Sequence, residues 1–274
     1  MYSAISVLTI VHGRHQALRN LLDGLATSTL LPSDVVIVHM NETPIQLKDY
    51  PFPIRQIRHE TGSGLNLSAA RNQAILHAQA ENNVFLDVDC IPEPTLVAQY
   101  AETLGNTTDL VSGRVRYLSR EQTEALQADT DLFAASTADP VRPENKPFTH
   151  ELFWTLNFGC RKATFQAIGG FDEQYAGYGG EDTDFAFMAR AKGITLHTID
   201  ATAFHQYHPS YSPPLNHVQD ILHNAQVFHS KWGKWPMEGW LKAFAERGYM
   251  EQTAAGPRLK RLPTAAEIEM AKKI

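Results

Sequence analysis

The chain has 274 residues, of which 43% are hydrophobic and 20% charged, and it carries a formal net charge of -6. That length and balance describe a globular protein able to bury a sizeable core without staples. The negative charge excludes a general nucleic-acid binder, which needs a basic face to displace phosphate counterions. It still allows one nucleotide bound through a divalent metal.

The elements follow in chain order. Residues 4–11 (AISVLTIV) form a short β-branched apolar run of buried-strand length. Gly13-Arg14 breaks it, and Leu18, Leu21, Leu22 and Leu25 then recur at helical spacing. Residues 35–38 make a second strand, 54–57 a weaker third, 67–80 a helix with an alanine-rich face, and 84–88 (VFLDV) a strand running into acidic residues. This alternation predicts an α/β fold with a mostly parallel central sheet flanked by helices, and ligands beyond the carboxyl ends of its strands. From about Gly113 the rhythm changes. A helix is expected over 121–128, a proline-rich loop over 138–147, a strand over 154–161, a glycine-rich stretch over 169–180 and a helix over 183–192. A turn over 208–214, a helix over 215–231 and a polar tail from Pro257 complete the chain.

Cys90 and Cys160 form no C-x-x-C pair, which points to two buried free thiols rather than a zinc site. No basic leader precedes the first apolar run, and no apolar run approaches the roughly eighteen residues a membrane helix needs. A cytoplasmic location is therefore the default. The basic pairs Lys260-Arg261 and Lys272-Lys273 would allow peripheral contact with the inner membrane face.

Four segments offer chemistry. Asp87-Val88-Asp89 puts two carboxylates at a strand end, hard oxygen ligands for Mn²⁺ or Mg²⁺, although such a triplet alone also suits a solvated turn. Residues 177–184 (GYGGEDTD) join a glycine loop to an acidic helix start. Glu181 and Asp182 complement the helix dipole, while the glycines would let the backbone hinge and bring Tyr178 over a ligand. His205 and His208 could reach one metal if they lie in a turn or helix rather than along a strand. Residues 66–72 (NLSAARN) read as a small-faced helix in which Asn66 or Arg71 could meet a diphosphate or ribose, or Arg71 could simply be salt-bridged.

Taken in this order, the segments resemble family 2-like GT-A glycosyltransferases, particularly their β-1,4-galactosyltransferase-like branch. The opening strand with Gly13-Arg14 is similar to the first nucleotide-binding loop of that branch. NLSAARN is similar to its N-x-G-x-A-x-A-R-N helix, and FLDVDCIP to its metal-binding strand end. The most specific match is GGFDEQYAGYGGEDTD at 169–184, with Tyr178 where tryptophan is common; His205 to His208 falls at a second metal-binding segment. The resemblance covers roughly residues 4–245. One departure stands out: the second strand leads to His39-Met40-Asn41-Glu42 without the usual acid for the base or ribose, so that Asn41 or Glu42 would have to substitute.

The resemblance implies a metal-dependent, inverting transfer of a sugar, such as galactose or an N-acetylhexosamine, from a nucleoside diphosphate, UDP first among them. The acceptor would be a glycan or lipid-linked glycan. Asp182 would be the base, and Asp89 with His205 and His208 would hold Mn²⁺, with Mg²⁺ as the alternative. Thr9, Val11, Arg14, Asn41, Asn66, Arg71, Asp87 and Val88 would line the donor side. Trp154, Tyr178, Gly180, Glu181 and Asp184 would serve donor or acceptor hydroxyls. Asp182 and Asp184 lie about 200° apart at helical pitch, which favours a single base. The implied organisation is a donor half over 1–112, an acceptor half over 113–245 of the same GT-A domain, and a tail over 246–274. The rivals are a sugar-nucleotide nucleotidyltransferase, disfavoured by the lone Gly13 after the first strand, a non-catalytic nucleotide- or carbohydrate-binding module, which leaves the acidic cluster without a purpose, and a His/Asp metallohydrolase, which lacks further ligand motifs.

Overall fold

The computed structural model describes residues 3–62, 64–142, 146–254 and 256–273. Part of the loop expected over 138–147, at 143–145, falls outside them. Strand β1 (Ile5–Val11) is buried throughout, and α1 (His15–Ala26) turns Leu18, Leu21, Leu22 and Leu25 into the core. Each such leucine contributes roughly 1.5–3 kcal/mol by leaving water. The predicted second and third strands extend to β2 (Asp34–Met40) and β3 (Ile54–His59). Helix α2 (Leu67–His77) stops short of residue 80 because Ala78 has already turned extended, at φ -63° and ψ 144°. Strand β4 (Asn82–Leu86) also ends early. Asp87 and Val88 therefore lie in the turn that leads to β5 (Cys90–Pro92), closed by Cys90 N–H donating to the Asp87 carbonyl at 2.9 Å.

Helix α3 (Leu96–Asn106) and strand β6 (Leu110–Leu118) occupy a stretch the sequence reading left unassigned. The change of rhythm at Gly113 is a bulge within β6, where the register against its neighbour shifts between Ser112 and Arg114. A Cβ on Gly113 would stand 2.3 Å from the Ala201 carbonyl and 2.4 Å from Asn157 Nδ2, so only glycine fits. The helix expected over 121–128 shrinks to α4 (Arg120–Glu124), followed by α5 (Leu132–Ala135) and β7 (Ser136–Ala138) in one excursion. Strand β8 (Asn157–Arg161) begins after Trp154, and α6 (Lys162–Ile168) and α7 (Glu181–Ala191) bracket the glycine-rich stretch.

Strand β9 (Leu196–His205) was not anticipated, and the expected helix over 215–231 is a 3₁₀ turn, Leu215–His217, followed by α8 (Val218–Trp232). Helix α9 (Glu238–Glu246) comes next. The expected polar tail is a hairpin of β10 (Met250–Thr253) and β11 (Gly256–Leu259) with a short helix α10 (Ala265–Met270). Leu241, Phe244, Tyr249 and Met250 pack this C-terminal part onto Ile221 and Leu222 of α8.

The main sheet runs in the order β3-β2-β1-β4-β8-β6-β9-β5, with β7 on β6. From β3 to β4 it is parallel; beyond β4, β8 is antiparallel to both its neighbours, β9 is parallel to β6, and β5 is antiparallel to β9. The mostly parallel expectation thus describes the N-terminal half. One core packs α1 and α3 on one face. The other packs α2, α6 and α7 around a cluster of phenylalanines, in which Phe85 stacks on Phe158 at 4.5 Å and Phe171 on Phe185 at 4.3 Å. Both halves deliver strand ends to one cavity of about 890 Å³.

Candidate active site

Strand pairing brings the carboxylates and histidines together. Cys90 pairs with His205 across β5 and β9, and Gln206 N–H donates to the Asp89 carbonyl at 2.7 Å, so Asp89 and His205 lie side by side. His208 follows in the turn after β9. Its Nε2 stands 3.6 Å from Asp89 Oδ2, and His205 Nε2 stands 3.4 Å from Oδ1. The imidazole Nδ1 of His208 lies 3.1 Å from the Pro209 carbonyl. A carbonyl only accepts, so this contact puts the proton on Nδ1 and leaves Nε2 with a lone pair toward Asp89. Gln206, which the sequence reading passed over, is buried; it accepts from Asn20 Nδ2 at 2.6 Å and donates to the Ala17 carbonyl at 3.2 Å, fixing the segment to α1.

Asp89 is buried, and its Oδ1 has no hydrogen-bond partner among the described residues. One ligand atom each from Asp89, His205 and His208 lies within 4.8 Å of the others. A hard carboxylate oxygen with two imidazole nitrogens suits a divalent cation, and a buried carboxylate oxygen without a hydrogen-bond donor would gain a partner from one. Burial works to raise the Asp89 pKa, but His205, Arg14 and His208 outweigh it and hold the carboxyl below its ordinary range. Burial, with Arg14 close by, lowers His208 and favours its neutral, ligating form. Arg14 itself reaches Asp89 Oδ2 in an ion pair.

Asp87 takes a different course. Burial raises its pKa against the pull of Arg71, whose guanidinium lies 3.4 Å from Oδ1. Arg71 is buried, reaches Glu181 Oε1 at 3.3 Å and stacks over Phe171, so it ties the strand-end acids to the start of α7. The salt-bridged alternative for Arg71 is the arrangement observed, and the side chain still lines the cavity.

Asp182 also faces the cavity and accepts from Thr183 N–H at 2.7 Å. Burial, then the neighbouring Glu181 charge, pushes its pKa up to about 7, with Arg71 pulling the other way. Glu181 accepts from Gly179 N–H at 3.1 Å. Asp184 parts from Asp182 as helical pitch requires: it is buried, paired with Lys231 at 2.9 Å, and accepts from Trp232 Nε1 at 2.6 Å. It ties α7 to α8 and does not line the cavity.

The glycines before α7 act as spacers more than hinges. Gly177, Gly179 and Gly180 have φ of 60°, 103° and 93°. A Cβ on Gly177 would stand 2.1 Å from Asp220 Oδ2, and one on Gly179 2.8 Å from Met237 Sδ. Asn224 of α8, fully buried and unnoticed in the sequence, clamps this loop. Its Nδ2 donates to the Ala176 and Gly179 carbonyls at 2.8 Å each, and its Oδ1 accepts from Ala176 N–H at 3.0 Å.

Other expected contacts lie elsewhere. Strand alternation buries the Thr9 and Val11 side chains in β1, and Ile10 and His12 line the cavity instead. Asn41, at φ 53°, accepts from Thr61 N–H at 2.7 Å and donates to the Gly64 carbonyl at 3.0 Å, so it orders its own loop. Glu42 is engaged by Gly13 N–H at 2.8 Å and by His15 and His39. Asn66 caps α2 through Ala69 N–H at 2.8 Å and reaches the Glu173 carbonyl. Val88, Trp154, Tyr178 and Gly180 do line the cavity, with Arg142 stacked over Trp154 at 4.3 Å. The arginines between Gly113 and Pro147 are engaged: Arg114 with Asp200, Arg116 with Ser136, Arg120 with Tyr207 and Arg142 with Asp139. Both cysteines are free and buried, and no helix among the described residues is long and apolar enough to cross a membrane.

A family profile described as glycosyl transferase family 2 matches residues 6–172, and one described as the N-terminal domain of galactosyltransferase matches residues 141–211. Chondroitin synthase of Pasteurella multocida (strain Pm70) is 26% identical over 196 residues, which cover 61% of this chain and 20% of that protein. The matched region is thus about a fifth of this relative's length. Among solved structures, GalNAc-T7 with UDP, GalNAc and Mn²⁺ superposes with a TM-score of 0.58 at 14% identity, over 90% of this chain and 55% of that one. The mannosyltransferase PcManGT from Pyrobaculum calidifontis, in complex with GDP-Man and Mn²⁺, gives 0.56 at 17% identity, over 90% and 76%. These likenesses are of fold, and the fold is GT-A. The sequence match spans more than half the chain, including the strand-end carboxylates, and places it in glycosyl transferase family 2.

Proposed function

We propose that the chain is a metal-dependent, inverting glycosyltransferase that moves a sugar, galactose or an N-acetylhexosamine, from a nucleoside diphosphate to a hydroxyl of a glycan or lipid-linked glycan. The observation that carries this reading is the meeting of Asp89, His205 and His208 with Asp182 on the wall of one cavity. Asp89, His205 and His208 would hold Mn²⁺, or Mg²⁺ in its place, which when bound neutralises charge on the departing diphosphate. Arg14, already at Asp89, adds a positive charge to the same group. Asp87 and Val88 border the donor, and Arg71 keeps the Asp87 carboxylate in place. Asp182 takes the proton from the acceptor hydroxyl as its oxygen bonds to the anomeric carbon and the bond to the diphosphate oxygen breaks. A carboxylate is strong enough because that proton becomes acidic only as the new bond forms. A single base and a single displacement invert the anomeric centre.

UDP is the first donor to test, and GDP the second, because fold neighbours were solved with either nucleotide and no acid follows β2 at the expected place. Residues 1–112 would serve the donor and 113–245 the acceptor, in a protein working in the cytoplasm. Turnover of UDP-galactose, UDP-N-acetylhexosamines and GDP-mannose with and without Mn²⁺ tests the reading. Activity should need the metal and collapse in Asp182→Asn while nucleotide binding survives; unchanged activity in both Asp89→Ala and Asp182→Asn contradicts it.

A further inference from the structure

His205 and His208 reach Asp89 from differently supported backbone. His205 closes β9 and pairs across to Cys90, whereas His208 lies past the end of the strand, its side chain 32% exposed against 14% for His205. The hydrogen bond of the His208 ring goes to the next residue, Pro209. The imidazole is therefore placed by whatever holds the backbone on either side of it.

Before His208, Gln206 N–H is fixed on Asp89, and Tyr207 is held by the excursion after β6. Tyr207 N–H donates to Thr123 Oγ1 at 2.8 Å, and its hydroxyl accepts from Arg120 Nη2 at 2.7 Å. After His208 the hold comes from far along the chain. Ser212 N–H donates to the Ala271 carbonyl and Lys273 N–H to the Ser210 carbonyl, each at 2.8 Å, which pairs Tyr211 with Lys272 in an antiparallel bridge. Helix α10 leads into this pairing. It opens on a capping box between Thr264 and Glu267, and Arg261 grips Glu267 at 2.7 Å. Six residues are too few for a helix to persist unaided, so its order comes from docking. Ala271 supplies the docking point: it is buried with Leu215 and Val218, and Tyr211 and Ile268 pack on the same cluster. Pro209 makes the joint stiff. Proline fixes its own φ and restricts the residue before it, so the placement of Ser210 is passed back to His208 with little slack.

We propose that residues 264–273 are a strap that sets His208 as a metal ligand, with Ala271 and Lys273 as positioning residues acting through their backbone groups. Strap docking and metal binding are then linked: docking raises the affinity for the metal, and the metal tightens the docking by the same factor. The strap lies beyond both matched family profiles, which end at residues 172 and 211. The link to the metal rests on the metal site proposed above; the docking of the strap on residues 210–212 does not.

Titration of the full chain with Mn²⁺, followed by electron paramagnetic resonance, tests it together with hydrogen exchange of peptides covering 208–212 and 268–273. Lys273→Pro removes the N–H that bonds Ser210, while Lys273→Ala keeps it and removes only the charged side chain. Lys273→Pro should weaken Mn²⁺ binding about fivefold, the factor that roughly 1 kcal/mol of hydrogen bond gives. Lys273→Ala should leave it within about twofold. Ala271→Asp puts a carboxylate into the buried cluster and should weaken it at least about tenfold. Saturating Mn²⁺ should slow exchange over 268–273 in the parent and not in His208→Ala. Unchanged Mn²⁺ affinity in both Lys273→Pro and Ala271→Asp overturns the proposal, as does exchange over 268–273 that Mn²⁺ leaves unaltered in the parent. An equal loss in Lys273→Ala overturns it too, by making the effect one of charge. Mn²⁺ binding that survives Asp89→Ala overturns the metal site instead; faster exchange over 208–212 in Lys273→Pro would then keep the strap and remove its link to the metal.

Discussion

Replacing Glu181 by glutamine should move the pH profile of turnover toward acid. Asp182 is held at about 7 by burial first and by the Glu181 charge second, while Arg71 pulls it down. A base with that pKa is roughly one-tenth ionised at pH 6 and nine-tenths at pH 8, so kcat/KM should rise about ninefold between them. A unit charge about 6 Å away contributes roughly 0.7 kcal/mol at the dielectric of water and about 2.8 kcal/mol at an effective 20, which spans about half a pH unit to two. Glu181→Gln removes that charge and frees Arg71 from its second carboxylate, and both changes act in the same direction. The limb should therefore move by about one pH unit toward acid, read from initial rates of donor turnover between about pH 5.5 and 8.5. A limb that falls through pH 7, or that moves toward base in Glu181→Gln, would rule out Asp182 as the base. The same raised pKa has a sign for stability. Between 3.8 and about 7 the folded chain keeps a proton that the unfolded chain has lost, so stability declines as pH rises through that window. Asp182→Asn should therefore unfold at a higher temperature than the parent at pH 8, and the difference should narrow toward pH 4.

Gly177→Ala places a Cβ on Asp220 at a φ of 60° and should cost about 1–3 kcal/mol of stability, read as a lower urea midpoint. Asn224→Ala strips the clamp from the 176–179 backbone and leaves buried polar groups unpaired, a loss of about 2–4 kcal/mol by chemical denaturation. His208→Ala should weaken Mn²⁺ binding at least about tenfold by electron paramagnetic resonance, with little change in the melting temperature without metal.

Much of the N-terminal half was legible because local pattern decides it. The run from Ile5 to Val11 has one stable fate in a chain this apolar, and the leucines of α1 can share a face only as a helix. The strand β9 (LHTIDATAFH) alternates poorly, since its first half is only partly buried, and β5 is three residues held entirely by its pairing with β9. Neither carries a local signal strong enough to read. The acids and histidines were found by motif, but their roles divide by tertiary contact. Nothing within the GYGGEDTD segment says that Asp184 will meet Lys231 and Trp232. Strand alternation turns the Thr9 and Val11 side chains into the core and leaves Ile10 and His12 to line the cavity. The stacking of Trp240 on Tyr178 was least visible, because the two meet only after α8 and α9 have packed on the glycine loop.

If Asp89, His205 and His208 hold a metal at the cavity that holds Asp182, nucleotide binding should depend on that metal. Calorimetric titration of UDP and GDP into the full chain, with Mn²⁺ and with chelator, tests it most directly. One nucleotide should bind at least about tenfold more tightly with Mn²⁺, and Asp89→Ala should remove this difference. Equal binding in chelator, or a metal effect that survives Asp89→Ala, would contradict it.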